Sequence, residues 1–448
     1  MKTDELISIF KAGIDAVNPY RLVLQSLKVE GNILNIGNIS YDLNQFNNIL
    51  VIGAGKATAS MAQAVEEVIG DKISNGLITV KYGHTRSLKK IKQLEAGHPL
   101  PDEAGVKGTE EIFKLLEGAD EKSLVICLLS GGGSALLVSP SEGITLNDKI
   151  ETTRLLLSAG ADIEGLNTVR KHLSKVKGGR LSEISYPATL ITLMLSDVIG
   201  DRLDVIASGP TVPDNSTFKD AMDVIKKYNL VDKLPANVMI LLKQGLRGDI
   251  KDTPKNGEVF FKKSKVFILG NLKHALTAAK EKVVSMGYET EIISSELQGE
   301  ARDTAKYLSA KAIKVQQFLK SGESSRCLIS GGETTVTVKG NGLGGRNQEL
   351  ALAFAVEIEG MKGITMLSAG TDGTDGPTDA AGAIVDGETV SKAKTLGLDP
   401  ERYLNTNDSY NFFKRLDSLT GERHHVITGP TGTNVMDIQI ILVGGNEK

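Results

Sequence analysis

The sequence is poor in the residues that announce several common chemistries. Its 448 residues hold two cysteines, Cys127 and Cys327. Both fall inside predicted strands, where they read as small core hydrophobes of a protein kept in a reducing cytoplasm. Histidines number six, and none stands in an evident pairing with an acid. A nucleophile elbow needs Gly-x-Ser-x-Gly, and neither Ser130 nor Ser134 has that frame, which leaves a serine hydrolase with little support. No apolar run reaches the roughly 18 residues that cross a bilayer. The first residues, "MKTDELISIFKAGIDAV", lack the apolar stretch of a signal peptide. They read as an amphipathic helix with Leu6, Ile7, Ile9, Phe10 and Ile14 near one side. Net charge is −3 and the pI about 6.2, without the basic balance of a nucleic-acid binder. "SLKKIK" and "FKKSK" read as solvated faces. Neither a nucleic acid nor a membrane is an expected partner.

Glycine, by contrast, is plentiful at 48 residues, and it gathers at the ends of apolar runs. Strand-like runs alternate with helical stretches: 48–55, 76–83, 124–133, 189–198, 265–271, 289–294, 326–333, 363–373 and a closing run at 436–445. Continuous apolar strands separated by helices predict an α/β fold with a Rossmann-like, doubly wound parallel sheet. Ligands bind such sheets at the carboxyl ends of the strands. A chain this long exceeds one ordinary core. The expected division is 1–255 and 256–448, with a Lys-rich stretch of helices and exposed connector at 215–262.

"GAGKAT" fails two nucleotide motifs. A Walker A loop would need glycine at position 50, which is Leu50. The dinucleotide fingerprint finds Gly53 and Gly55 but Thr58 in the third place, and no acid ends the next strand. What remains is Lys56 at a helix start, where a cation is disfavoured unless it meets an anion. "LLSGGGSALL" offers Gly131, Gly132, Gly133 and Ser134 as an anion cradle of backbone N–H groups. "RCLISGGETTV" repeats the Ser-Gly-Gly with Glu333 in place of the third glycine, and a cysteine precedes each copy by three residues. "GLGGRNQELAL" sets Arg346 at a helix start, a position suited to a phosphoryl group. "NTVRKHLSKVKGG" contributes Asn167, Arg170 and Lys171. His98 in "GHPLPD" either lines the site or stabilises a turn, and His172 reads as structural. Asp197 and Asp201 follow a strand. Asp372, Asp375 and Asp379 crowd one glycine-rich loop, where carboxylates can hold a hard cation or simply build Asp-Gly turns. Basic residues gathered beside glycine loops in an acidic protein indicate a small polyanion.

These motifs, with "AGHPLPD", "SDVIGD…IASGPTVPD", "GTDGTDGPTDAAGA" and "TGPTGTNVMD", run in an order that resembles the two-domain glycerate kinases, whose C-terminal part is the MOFRL domain. The resemblance spans about 5–445. It implies a Rossmann-like domain and a smaller mixed α/β domain with the active site in the cleft between them. It also implies transfer of a phosphoryl group from ATP to D-glycerate with Mg2+ or another divalent cation, and a cytoplasmic enzyme. Archaeal-type members, which this chain resembles, make the 2-phosphate in non-phosphorylative sugar breakdown; others make the 3-phosphate. Lys56 and Arg346 match the family's catalytic basic residues, and Gly131–Ser134 its nucleotide-side loop. On this reading Arg170 and Lys171 hold the glycerate carboxylate, with Asn167 and His98 beside the substrate. Asp197, with Asp201, binds metal or orients the hydroxyl. Glu333, Asp372, Asp375 and Asp379 line the cleft. A homodimer is open. The family also carries names as hydroxypyruvate reductase, so a nicotinamide-dependent reductase and a two-domain binding protein are the competing expectations.

Overall fold

The structure is a computed structural model in which residues 2–319 and 324–445 are described. The chain forms two compact units, Pro19–Leu269 and a second made of Met1–Asn18 with Gly270–Lys448. The first therefore closes some fourteen residues beyond the expected boundary at 255 and excludes the first eighteen residues. The N-terminal helix Thr3–Ala16 explains the second difference. It buries Leu6, Ile9, Phe10 and Gly13, and a methyl group on Gly13 would stand 3.1 Å from the Ala275 carbonyl and 3.2 Å from Ile438. The apolar stripe was readable, but its partner, hundreds of residues away, was not.

The Pro19–Leu269 unit is built on six strands: β1 Asn48–Ala54, β2 Asn75–Lys81, β3 Ile91–Ala96, β4 Ser123–Leu129, β5 Thr189–Leu195 and β6 Ser264–Gly270. Their order across the sheet is β3-β2-β1-β4-β5-β6, and β3-β2, β2-β1, β1-β4 and β4-β5 are parallel pairs. This is the doubly wound order of a Rossmann-type sheet. All seven residues of β4 are buried, which is why it reads as an unbroken apolar run. Each large aliphatic side chain so buried contributes about 1.5–3 kcal/mol. Helices Leu146–Ser158, Ile163–His172, Phe218–Lys227 and Ala236–Arg247 share a separate small core that includes Leu156, Val169, Phe218, Ile225 and Leu242. Residues 215–262 thus hold the expected helices. A three-stranded antiparallel meander occupies 27–42.

The second unit also has six strands: β7 Glu289–Leu297, β8 Arg326–Gly332, β9 Ile364–Gly370, β10 Gly382–Asp386, β11 His425–Val426 and β12 Asp437–Val443. Their order is β7-β8-β12-β9-β10-β11. Only the β7-β8 pair is parallel; β12 runs antiparallel between β8 and β9, and β9-β10 and β10-β11 are also antiparallel. The sheet is mixed, as the expected second domain required. Cys127 and Cys327 are buried free thiols, each pushed up to about 12 by burial.

Candidate active site

In the Pro19–Leu269 unit the strand order reverses between β1 and β4, and these neighbours end level, with Ala54 opposite Leu129. Their outgoing loops therefore leave the sheet side by side. The Lys56 backbone N–H donates to the Gly131 carbonyl at 2.9 Å. The buried Ser130 hydroxyl accepts from the Ala57 N–H at 3.0 Å and lies 3.2 Å from the Thr58 hydroxyl. Ser130 thus ties the lysine loop to the glycine loop. Gly55 must be glycine here, because a Cβ would stand 2.1 Å from the Ser130 Oγ. Gly132 sits at φ +87, and a Cβ on it would come within 2.9 Å of His98 Cδ2 and 3.4 Å of Lys56 Cγ. The structure consequently brings Lys56, His98 and Gly132 together. Burial and then the charge of Lys56, followed by Lys81 and His84, push His98 down to about 4, so its ring is neutral near pH 7. Gly133 packs against Ala207 and opens a single helical turn, Gly133–Leu136.

Beyond the glycines runs a chain of polar side chains. The Ser134 hydroxyl is 2.9 Å from that of Ser208, which donates to Asn167 Oδ1 at 3.0 Å. Ala207 and Ser208 hold φ of +51 and +62, a left-handed conformation that costs side-chain-bearing residues energy and collects at functional sites. Arg170 is half-buried and has two buried lysines, Lys149 and Lys177, as neighbours. Burial, and secondarily the charge of Arg170, bring Lys149 down to about 7. Fully buried Lys177 is pushed well below its ordinary value by burial first, then by Arg170 and Lys149. Its ammonium nitrogen contacts the Leu137 and Ala207 carbonyls at 3.2 and 3.4 Å. Lys171 is differently placed from the sequence expectation. It is buried against Asp214 at 3.1 Å and Asp204 at 3.7 Å, so its charge is already balanced by protein carboxylates. Asp197 and Asp201 follow β5, next to β4, and Asp201 has φ +54. Among the described residues no group of three or more His, Cys, Asp or Glu side chains is arranged to hold a metal.

In the second unit Arg346 begins the helix Arg346–Glu357. Its Nε and Nη2 donate to the two oxygens of Asp437 at 2.6 and 3.0 Å, and Nη1 lies 2.7 Å from Glu333. The arginine's proton is held more tightly than usual by Asp437, outweighing the opposing effect of burial. Asp437, buried at the start of β12 between Gly332 and Gly370, fixes the direction of the guanidinium. The second Ser-Gly-Gly is not a turn at the strand's end: β8 continues through Gly332, and Ser330 donates to Gln439 at 3.2 Å. The three aspartates of the glycine-rich loop do not converge. Asp375 is buried and caps the Arg346 helix, accepting from the Asn347 and Gln348 N–H groups at 3.1 and 2.8 Å. Burial still raises it to about 6. Asp372 closes a turn onto the Thr374 N–H, and Asp379 accepts from the Tyr410 hydroxyl.

A family model described as a domain of unknown function (DUF4147) matches residues 5–243, and the MOFRL family model matches 326–437. A D-glycerate 2-kinase of Thermotoga maritima is 43% identical, covering 98% of this chain and 97% of that protein. A glycerate 2-kinase of Pyrococcus horikoshii is 40% identical over 96% and 94%. The crystal structure of a glycerate kinase from T. maritima superposes with a TM-score of 0.84 at 42% identity, covering 98% of this chain and 99% of the other. The chain belongs to the two-domain glycerate kinase family.

Within this glycerate kinase framework, three residues escaped the reading of the sequence. Asp437 closes the last motif, "TGPTGTNVMD", but nothing local ties it to an arginine 91 positions earlier. Ser208 was visible in "IASGPTVPD" only as part of a motif. Lys177 was one lysine among several in "SKVKGG", and only its complete burial distinguishes it.

Proposed function

We propose that the protein is an ATP-dependent D-glycerate kinase that phosphorylates the 2-hydroxyl. The observation that carries this reading is the clasp between the Lys56 and Gly131 loops where the strand order reverses. It sets a lysine and a glycine-rich backbone side by side where doubly wound sheets take ligands.

Phosphoryl transfer depends on positioning and charge stabilisation. In this reading Gly131–Ser134 hold ATP phosphates through backbone N–H groups and the Ser134 hydroxyl. Lys56 stabilises the γ-phosphoryl group as the bond to the β-phosphate oxygen breaks and the bond to the glycerate oxygen forms, and Arg346 is the second catalytic cation. Arg170, backed by Lys149 and Lys177, takes the glycerate carboxylate. Lys171, already paired, positions this segment. His98, being neutral, serves as a hydrogen-bonding wall. Asp197 and Asp201 suit Mg2+, which takes one or two protein carboxylates and completes its shell with phosphate oxygens and water. Magnesium supplies charge neutralisation on the phosphates when bound. Enclosing the reactants excludes water that would otherwise hydrolyse ATP. The buried free thiols suit a cytoplasmic enzyme.

A coupled ADP-release assay with D-glycerate tests the activity. Lys56→Ala and Arg346→Ala should each lower kcat by orders of magnitude in folded protein; near-normal turnover in either removes its role. Carbon-13 NMR of the product distinguishes the 2- from the 3-phosphate. Oxidation of NADH by hydroxypyruvate without ATP would instead support a reductase, a reading that the Thr58 break in the dinucleotide fingerprint disfavours.

A further inference from the structure

A half-open hollow lies among the helices that follow the glycine loop, and no step above uses it. It is a cavity of about 720 Å³ lined by Ser141, Ser174, Arg180, Phe218 and Leu241, among others. Small organic ligands occupy cavities of about 300–1,000 Å³. One wall is apolar, contributed by Phe218, Ile184, Leu241 and Ile250. Arg180 stands in another wall, and its buried Nε has no hydrogen-bond partner among the described residues. A buried donor without an acceptor is costly, and in a native protein it commonly marks a group that something else satisfies. Glu183, Asp252 and Asp214 offset part of the charge of Arg180, but none of them is a hydrogen-bond partner of its Nε. Glu183 is 3.3 Å from Lys251, and Glu142 is exposed. His172 has both ring nitrogens engaged, with the Thr168 carbonyl and with Asp252. Lys175, also in the lining, adds a second positive charge. An inorganic ion would satisfy the arginine but leave most of the volume and the apolar wall bare.

We propose that this cavity binds a small organic oxyanion, a phosphate or carboxylate carrying an apolar body, with its charged end on Arg180 and its body against Phe218 and Leu241. Phenyl phosphate and benzoate are suitable probes, titrated calorimetrically into the full chain with ATP present to fill the nucleotide site. At least one should bind saturably at one per chain, and comparison of the two tells phosphate from carboxylate. Arg180→Met should weaken that binding at least tenfold. Ile240→Trp, at a lining position 55% exposed, should weaken it by narrowing the cavity. Lys56→Ala should leave it unchanged. Saturable binding by neither probe overturns the proposal. So does binding that survives Arg180→Met in folded protein, or binding that disappears with Lys56→Ala.

Discussion

Replacing Asp437 with asparagine isolates how Arg346 is aimed. Asparagine keeps the volume of the buried side chain and one oxygen acceptor, but it removes the negative charge and turns the other contact, 2.6 or 3.0 Å in the native pair, into a donor facing a donor. A hydrogen bond to a charged group contributes about 1.5–3 kcal/mol. With Arg346 one-third exposed, solvent takes up part of the loss, so about 1–2 kcal/mol of stability should go. In a domain of 150–250 residues that lowers Tm by about 2–4 °C for each kcal/mol. The effect on turnover should be larger than the effect on folding. The guanidinium keeps one neutral acceptor at position 437 and its ion pair with Glu333, whose side chain is 45% exposed, and a displacement of about 1 Å from the reacting geometry can cost about 100-fold. We expect kcat to fall 10- to 100-fold in an ADP-release assay at saturating substrates, with a circular dichroism melt showing a folded protein. Glu333→Gln is the control. A surface pair of that exposure contributes about 0–1 kcal/mol, so kcat should stay within a few-fold of the native value. A native kcat in Asp437→Asn, or an equal loss in Glu333→Gln, would refute the view that Asp437 aims the arginine.

Three further outcomes follow from burial and backbone conformation. His98 binds its proton with a pKa of about 4 in the folded chain against an ordinary 6.5. Between those pH values the unfolded chain therefore holds more protons, and His98's contribution is complete above about pH 6.5 and lost as pH falls toward 4. Urea unfolding from pH 4 to 7 should show a shallower acid decline in His98→Asn than in the native protein; identical slopes would contradict the shift. Gly132→Ala forces alanine into a left-handed conformation at about 1–2 kcal/mol and sets a methyl 2.9 Å from His98. It should lower Tm and raise the KM for ATP, and an unaltered KM would move the nucleotide off this loop. Both thiols should be silent to a disulfide reagent in native protein and react once it is unfolded, because burial suppresses the thiolate; a fast native reaction would contradict their placement.

The sequence made the strands legible where they are buried on both faces, since a continuous apolar run ended by glycine leaves a strong mark. β3 escaped because Ile91, Leu94 and Ala96 alternate with Lys92, Gln93 and Glu95 at the sheet's edge. The direction of β12 escaped for the opposite reason. All seven of its residues are buried, and a central strand's composition is the same whichever way it runs. The basic site residues could be found because a cation at a helix start is locally anomalous. Their acidic partners could not, because Asp437 and Asp214 look like any aspartate until long-range packing buries them.

The two Ser-Gly-Gly copies show how far local likeness carries. Each lies at the end of a strand close to a basic residue of the proposed mechanism, and each serine is buried. In the first copy the strand stops at Leu129 and the serine accepts from the neighbouring loop, freeing the glycines to turn beside Lys56. In the second, strand pairing continues through Gly332, where a Cβ would strike the Leu297 carbonyl at 2.1 Å, and the next residue delivers a carboxylate to Arg346. Glycine serves a turn in one and close strand packing in the other. The substitution of Glu333 for a third glycine is therefore the informative difference: it sets a carboxylate 2.7 Å from Arg346 where the first copy has only backbone.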